Sequence, residues 1–358
     1  MNLKRIFDCA GRLARFWLAI ARHFLFALSL AAGGLLTSAA HAQDSEVACE
    51  GDDLVKALAA ENPALLERLR REAAETPNGK GLLWRIESTG DAPPSYLFGT
   101  MHVTDPRVVA MSEAAREAFG GARTIAVETT DILDEASMRA ALAEEPELTM
   151  FLGDERLTDY LDTKERMIVQ EGLAERGVPL QAVVKMKPWM LSSLISLPAC
   201  ELHRRESGAV MLDQKLAQEA HETGKNLVGL ETAHEQLSAM ASLPMELHME
   251  ALVGVLELGD GVEDFIETIM VLYLDGETGM FRPVLDRLLV EAGQNTDGYA
   301  EFDRLMIERR NEVMAERAMP LLEEGGAFIA VGAMHLPGER GLVALFREAG
   351  YEVQAIEE

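Results

Sequence analysis

Short apolar runs bounded by turn residues alternate along this chain with longer stretches of helical spacing. Between about residues 52 and 75, Leu54, Leu58, Leu65 and Leu69 fall on one stripe, which predicts an amphipathic helix closed by Pro77-Asn78-Gly79. Residues 82–86, 95–98 and 124–127 read as strands, with Asp91-Ala92-Pro93-Pro94 turning between the first two. The middle is helical in period over 156–175, 188–204 and 210–223, and Pro188 suits a first helical turn. Residues 178–183 read as a further short strand and 227–230 as a clearer one. From 233 to 317 the pattern is helix-rich, with breaks near Pro244, Gly259-Asp260-Gly261 and Gly293. A strand over 328–331, a helix over 341–349 and a strand over 351–356 close the chain. Strands at both ends of a long helical middle predict one α/β (α+β) core with a helical insertion over roughly residues 135–320. No low-complexity linker divides it, so residues 43–358 are expected to form a single domain.

Two segments echo each other. Tyr96-Leu97-Phe98-Gly99-Thr100-Met101-His102-Val103 matches Ile329-Ala330-Val331-Gly332-Ala333-Met334-His335-Leu336 in kind, and each soon reaches a proline, Pro106 or Pro337. A second echo pairs Ala126-Val127-Glu128-Thr129 with Gly229-Leu230-Glu231-Thr232. Four predicted strands therefore end on His102, Glu128, Glu231 and His335. If the strands are parallel neighbours, the side chains meet in the crevice beyond their carboxyl ends, where open α/β sheets bind ligands. Two imidazoles with one or two carboxylates make a first shell for Zn²⁺, Mn²⁺, Fe²⁺ or Co²⁺. A glutamate outside that shell can take a proton from water. Gly99 and Gly332 are expected to permit a tight turn and close backbone approach.

Plainer readings stand beside these. A single Gly-x-x-His occurs by chance, and a strand-end histidine is often only a satisfied hydrogen-bonding group. Glu128 is the stronger carboxylate, because a charge after Ile125-Ala126-Val127 needs a partner. Glu231 either joins the site or caps the helix that follows. Arg309-Arg310-Asn311 either holds an anionic substrate or a carboxylate, or is an exposed basic turn. Glu231 and His234 have the Glu-x-x-His spacing of di-iron bundles, but a second copy is absent, which leaves His234 at the surface. His203, His221 and His248 sit among charged helical neighbours and read as solvated. The methionines between Met240 and Met270 are spaced like helix cores. No serine nucleophile elbow, phosphate-binding glycine loop or His-Glu-x-x-His motif occurs.

The N-terminus changes the picture of where the chain works. Lys4, Arg5, Arg12, Arg15 and Arg22 precede an apolar run over 24–36, and Ala40-His41-Ala42 offers a cleavage site, the order of a secretory signal peptide. That run is short for a transmembrane span of about 20 residues, although an uncleaved anchor is the alternative. Cleavage after Ala42 removes five basic residues and one acidic one, taking the formal net charge from −27 to −31. So acidic a chain is unsuited to nucleic acid or anionic membrane surfaces. Cys49 and Cys200 remain, and in an exported chain they are expected to pair, free buried thiols being the alternative. Neither belongs to a C-x-x-C motif.

The segments from Tyr96 to His102, Gly229-Leu230-Glu231-Thr232, Arg310-Asn311 and Val331-Gly332-Ala333-Met334-His335-Leu336-Pro337-Gly338 together closely resemble the TraB/GumN family, which includes PrgY and the Tiki proteins. The likeness runs from about Leu82 to Val353. It implies a Tiki/erythromycin-esterase/ChaN-like core sheet with two pseudo-repeated halves and a large helical insertion. It also implies a metal centre at His102 and His335, with Glu128 as catalytic or ligating carboxylate and Arg310 with Asn311 as a supporting pair. Tiki members are regarded as metal-dependent proteases of secreted signalling proteins, TraB and PrgY are linked to shutdown of peptide pheromones, and GumN to polysaccharide gene clusters. The expectation is an exported, periplasmic or secreted, metal-dependent hydrolase acting on a peptide or protein, with no C-terminal anchor of the Tiki kind. A binding protein that sequesters a peptide or haem-like ligand is the alternative.

Overall fold

The computed structural model describes residues 49–357 apart from 89, 135–141, 143–144, 260 and 292–298. The signal segment expected over 1–42 and the helix break expected near Gly293 lie outside the described residues. Six strands, β1 (Leu83–Glu87), β2 (Ser95–Thr100), β3 (Thr124–Val127), β4 (Asn226–Gly229), β5 (Ala327–Gly332) and β6 (Glu352–Ala355), form one mixed sheet in the order β4-β3-β5-β2-β1-β6. The run β4-β3-β5-β2 is parallel, whereas β1 is antiparallel to both β2 and β6.

Strand periodicity divides the apolar residues between two faces. Leu83, Phe98, Ile125, Val127, Phe328 and Ala330 point to one side. There they pack on the helices Pro63–Ala74, Glu113–Gly121 and Leu212–Glu222. Trp84, Ile86, Leu97, Ala126, Ile329 and Val331 point to the other, against the helices Arg309–Glu324 and Leu342–Glu348. The central strands are buried on both faces, as parallel strands between helical layers must be. A third apolar cluster joins Thr163–Glu175, Pro188–Ile195 and Met245–Leu258 into a helical lobe within the expected insertion. β4 also falls inside that span. Among the described residues no single helix is long and apolar enough to cross a membrane.

Proline accounts for two departures from the expected elements. The helix predicted over 52–75 is two helices, Leu54–Glu61 and Pro63–Ala74, because Asn62 leaves helical geometry before Pro63 and its side chain caps Leu65 N. The helix predicted over 188–204 likewise divides into Pro188–Ile195 and Ala199–Glu206 around Pro198. The stretch 178–183 is a helical turn, Leu180–Val183, rather than a strand; its two ends, three residues apart, bury one side against the lobe. Cys49 and Cys200 form a disulfide with Cα atoms 5.3 Å apart, so the bridged alternative holds.

His248 is not solvated. It is 5% exposed, its Nε2 has no hydrogen-bond partner, and burial pushes its pKa down to about 4. The folded form thus disfavours a proton that the unfolded chain accepts near the ordinary value. Stability on this account is intact above about pH 6.5 and declines as pH falls toward 4, by up to about 3 kcal/mol for a shift of this size. We expect His248→Phe to flatten thermal melting temperatures over that window. An unchanged acid slope in the variant would show that His248 does not carry it.

Candidate metal centre

β2 is followed by Met101-His102, β3 by Glu128, β4 by Leu230-Glu231, and β5 by the 3-10 turn Ala333–His335. Because the four strands are parallel neighbours, all four side chains leave the sheet at its carboxyl edge, in the crevice where such sheets bind ligands. Glu128, His102 and His335 meet beside Gly332, and Glu231 joins Glu128 through Arg310. A Cβ added to Gly332 would lie 3.2 Å from Glu128 Oε1, 3.6 Å from His102 Nε2 and 3.6 Å from His335 Cδ2. The two glycines work by close approach alone, since neither has a positive φ. At Gly99 an added Cβ would meet Ala333 Cα at 3.1 Å, so that glycine lets the two His-bearing turns pack together.

His335 is 3% exposed and its orientation is fixed from behind. Asn311, fully buried, donates through Nδ2 to the Arg340 carbonyl at 2.8 Å and, at 3.4 Å, to the carbonyl of His335. Its Oδ1 is thereby left facing His335 Nδ1 at 2.7 Å. An amide oxygen only accepts, so Nδ1 carries the proton and the Nε2 lone pair is left for the crevice. Burial lowers the His335 pKa to about 4, which keeps that lone pair free at neutral pH.

Arg310 lies between the two glutamates. Its Nη2 donates to Glu128 Oε2 at 2.7 Å and Glu231 Oε2 at 2.6 Å, and its Nε to both Glu231 oxygens at 3.1 Å. Of the two readings of this triplet, the carboxylate-holding one is realised for Arg310, while the Arg309 side chain is exposed. Glu231 does not cap the following helix; Thr232 does, in a capping box with Glu235. Gln236 Nε2 adds a bond to Glu128 Oε2 at 2.9 Å, and the Gly332 amide donates to Glu128 Oε1 at 2.7 Å. Burial opposes the charge on Glu128, but His335, His102, Arg310 and the Gly332 amide outweigh it and hold the carboxyl at about 2.

Two partners were not found in the sequence. Asp213, buried on the helix Leu212–Glu222, places Oδ2 3.2 Å from His102 Nδ1 and accepts from Thr100 Oγ1 through Oδ1 at 2.5 Å. It raises the His102 pKa to about 9 and turns Nε2 toward the crevice. Gln236 is the other. Asp213 shares a helical stripe with Leu216, Ala217 and Ala220, all buried, and an acid on an apolar stripe was the available signal. His234 stands apart, paired with Glu145.

The chemistry of the donors suits a divalent cation. Asp213, Glu128 and Glu231 against Arg310 leave two formal negative charges when both imidazoles are neutral. His335 Nε2 and Glu128 Oε1 are 3.9 Å apart, a span that two donors at about 2.1 Å from one ion can take. Among the described residues, no three His, Cys, Asp or Glu side chains are drawn together into a complete shell.

Comparison with known proteins gives the family. Residues 82–355 match the model of the TraB/PrgY/gumN family. Among relatives, "Metalloprotease TIKI2" of Danio rerio is 27% identical over 76% of this chain and 60% of its own length. "Metalloprotease TIKI homolog" of Nematostella vectensis is 25% identical over 78% and 68%, and human "Metalloprotease TIKI1" 27% over 76% and 61%. The chain therefore spans about three fifths of the length of the TIKI2 and TIKI1 proteins it matches. No solved structure matches it. A family match covering both histidine turns and every strand of the sheet makes this chain a member of the TraB/PrgY/gumN family.

Proposed function

We propose that this chain is an exported metal-dependent peptidase whose working site is the cluster beside Gly332. His102 and His335 act as imidazole ligands of a divalent ion (Mn²⁺, Co²⁺, Zn²⁺ or Fe²⁺), with Glu128 as the third donor. The observation that carries this reading is that Glu128 Oε1, His102 Nε2 and His335 Cδ2, from three parallel strand ends, all lie within 3.6 Å of the position a Cβ on Gly332 would take. The relatives' names, metalloproteases all, support the reaction class. The disulfide fits an oxidising compartment outside the cytoplasm.

When bound, the ion would supply Lewis-acid polarisation of a peptide carbonyl and a lowered pKa for water. The remaining work belongs to the chain. Asn311 holds His335 in the tautomer that offers Nε2. Asp213, 3.2 Å from His102 Nδ1, keeps that ring protonated in the metal-free site, so a bound ion would have to displace the Nε2 proton. Glu128, bonded by Arg310, Gln236 and the Gly332 amide, is held ionised, the form in which a carboxylate ligates a cation. Glu231 has both oxygens taken by Arg310, so its part is to fix the guanidinium against Glu128.

The test is metal analysis of protein purified without chelators, beside peptide-cleavage assays, for wild type, His102→Ala and His335→Ala. Both substitutions should abolish stoichiometric metal and cleavage together. Tight binding of a peptide or haem-like ligand that survives both, with no cleavage in wild type, would mark a sequestering protein instead.

A further inference from the structure

His102 and His335 are fixed by different means. His335 is gripped by Asn311 within the core, whereas the His102 side chain is 57% exposed on a turn that leaves the sheet. Behind that turn lies the helix Ala199–Glu206. Glu201, 3% exposed, accepts from Thr104 N at 3.0 and 3.1 Å and from Thr104 Oγ1 at 2.8 Å. It also accepts from Arg205 Nε at 2.8 Å, and Arg205 Nη2 donates to the His102 carbonyl at 2.9 Å. Arg204, one residue earlier, donates to Asp105 Oδ2 at 3.1 Å. Three points of the turn, at 102, 104 and 105, are therefore held by one helix. That helix is itself tied, through Cys200, to Cys49.

We infer that Glu201 and Arg205 are positioning residues for His102, and that the Cys49–Cys200 disulfide keeps their helix seated against the turn. A buried carboxylate that accepts one backbone N–H, one hydroxyl and an arginine is costly to place unless it fixes something. What it fixes here is the main chain immediately after an exposed imidazole. The inference rests on His102 being a metal ligand, and partners of ligands typically change metal affinity by about 10–100-fold when removed.

Cobalt(II) is a suitable probe, because its visible absorption reports ligand number and geometry apart from any activity. Full-length protein is titrated as wild type, Arg205→Met, Arg205→Lys, Glu201→Gln, Cys49→Ser/Cys200→Ser and His102→Ala. Arg205→Met and Glu201→Gln should weaken Co²⁺ binding roughly tenfold and shift its spectrum. Arg205→Lys should recover part of both, and the double serine variant should move in the same direction by less. Arg123→Met, whose guanidinium braces the Glu324 and Gly325 carbonyls at the other end of the sheet, should leave both readouts unchanged. A lower melting temperature in Arg205→Met with wild-type Co²⁺ affinity and spectrum overturns the positioning role while the metal site stands. Wild-type Co²⁺ binding by His102→Ala removes the metal reading itself, and the positioning role with it.

Discussion

Arg310→Met should lower stability at pH 7 by about 3–5 kcal/mol, the usual cost of removing one partner from a buried ion pair. The size follows from geometry. Glu128 and Glu231 are 8% and 5% exposed, and Arg310 is the cation bonded to both. Without it, two desolvated carboxylates share Gln236 and repel each other. The pH dependence gives the sign. In the native protein Glu128 is held at about 2, below its ordinary value, so its contribution is present above about pH 4.5 and is lost only as pH falls toward 2. In the variant Glu128 loses that cation and faces Glu231 across Gln236, which raises its carboxyl. A raised carboxyl favours folding below the ordinary value and opposes it above, so the cost of the substitution should grow from pH 4 to pH 7. Urea denaturation at several pH values measures this, and Arg310→Lys should recover only part, lacking the planar fork. A loss under about 1 kcal/mol at pH 7, or one independent of pH, is incompatible with this account.

Legibility in the sequence followed burial. The strands lining the site were readable because each is a four- to six-residue apolar run that stops at a charge or an imidazole, and a side chain at that position can only sit at the sheet edge. Their parallel adjacency was not readable; it depends on β5 inserting between β3 and β2, a long-range pairing with no local signal. Errors arose where local pattern and tertiary packing disagree. Residues 178–183 have the composition of a strand, yet they pack in the helical lobe and bury Leu180 and Val183 there by a turn of helix. His248 has acidic neighbours in sequence, yet it shares its helix face with Leu252 and Leu256, both buried. Asp213 was missed for the same reason. A polar residue on an apolar stripe is buried with that stripe, and such residues are held for a bond they make.

The other large effect concerns a residue with no side chain. Gly332 has φ −52° and ψ 137°, values open to any residue, so Gly332→Ala is allowed by the backbone. The new methyl would point into the space shared by Glu128 Oε1, His102 Nε2 and His335 Cδ2. An ion bound there needs that space, and a methyl group brings no donor to it. Gly332→Ala is therefore expected to keep its melting temperature within a few degrees of wild type while weakening divalent-metal binding by about 100-fold or more, on the scale of losing ligands. Gly99→Ala should do the reverse. Its methyl would press on the Ala333 backbone at 3.1 Å and on Leu336, an overpacking that typically costs about 1–3 kcal/mol, while leaving the donors themselves in place. Calorimetric metal titration and thermal melting of the two variants separate the effects. Equal metal affinity in Gly332→Ala and wild type would mean that the ion, if one is bound, sits elsewhere than between the two imidazoles.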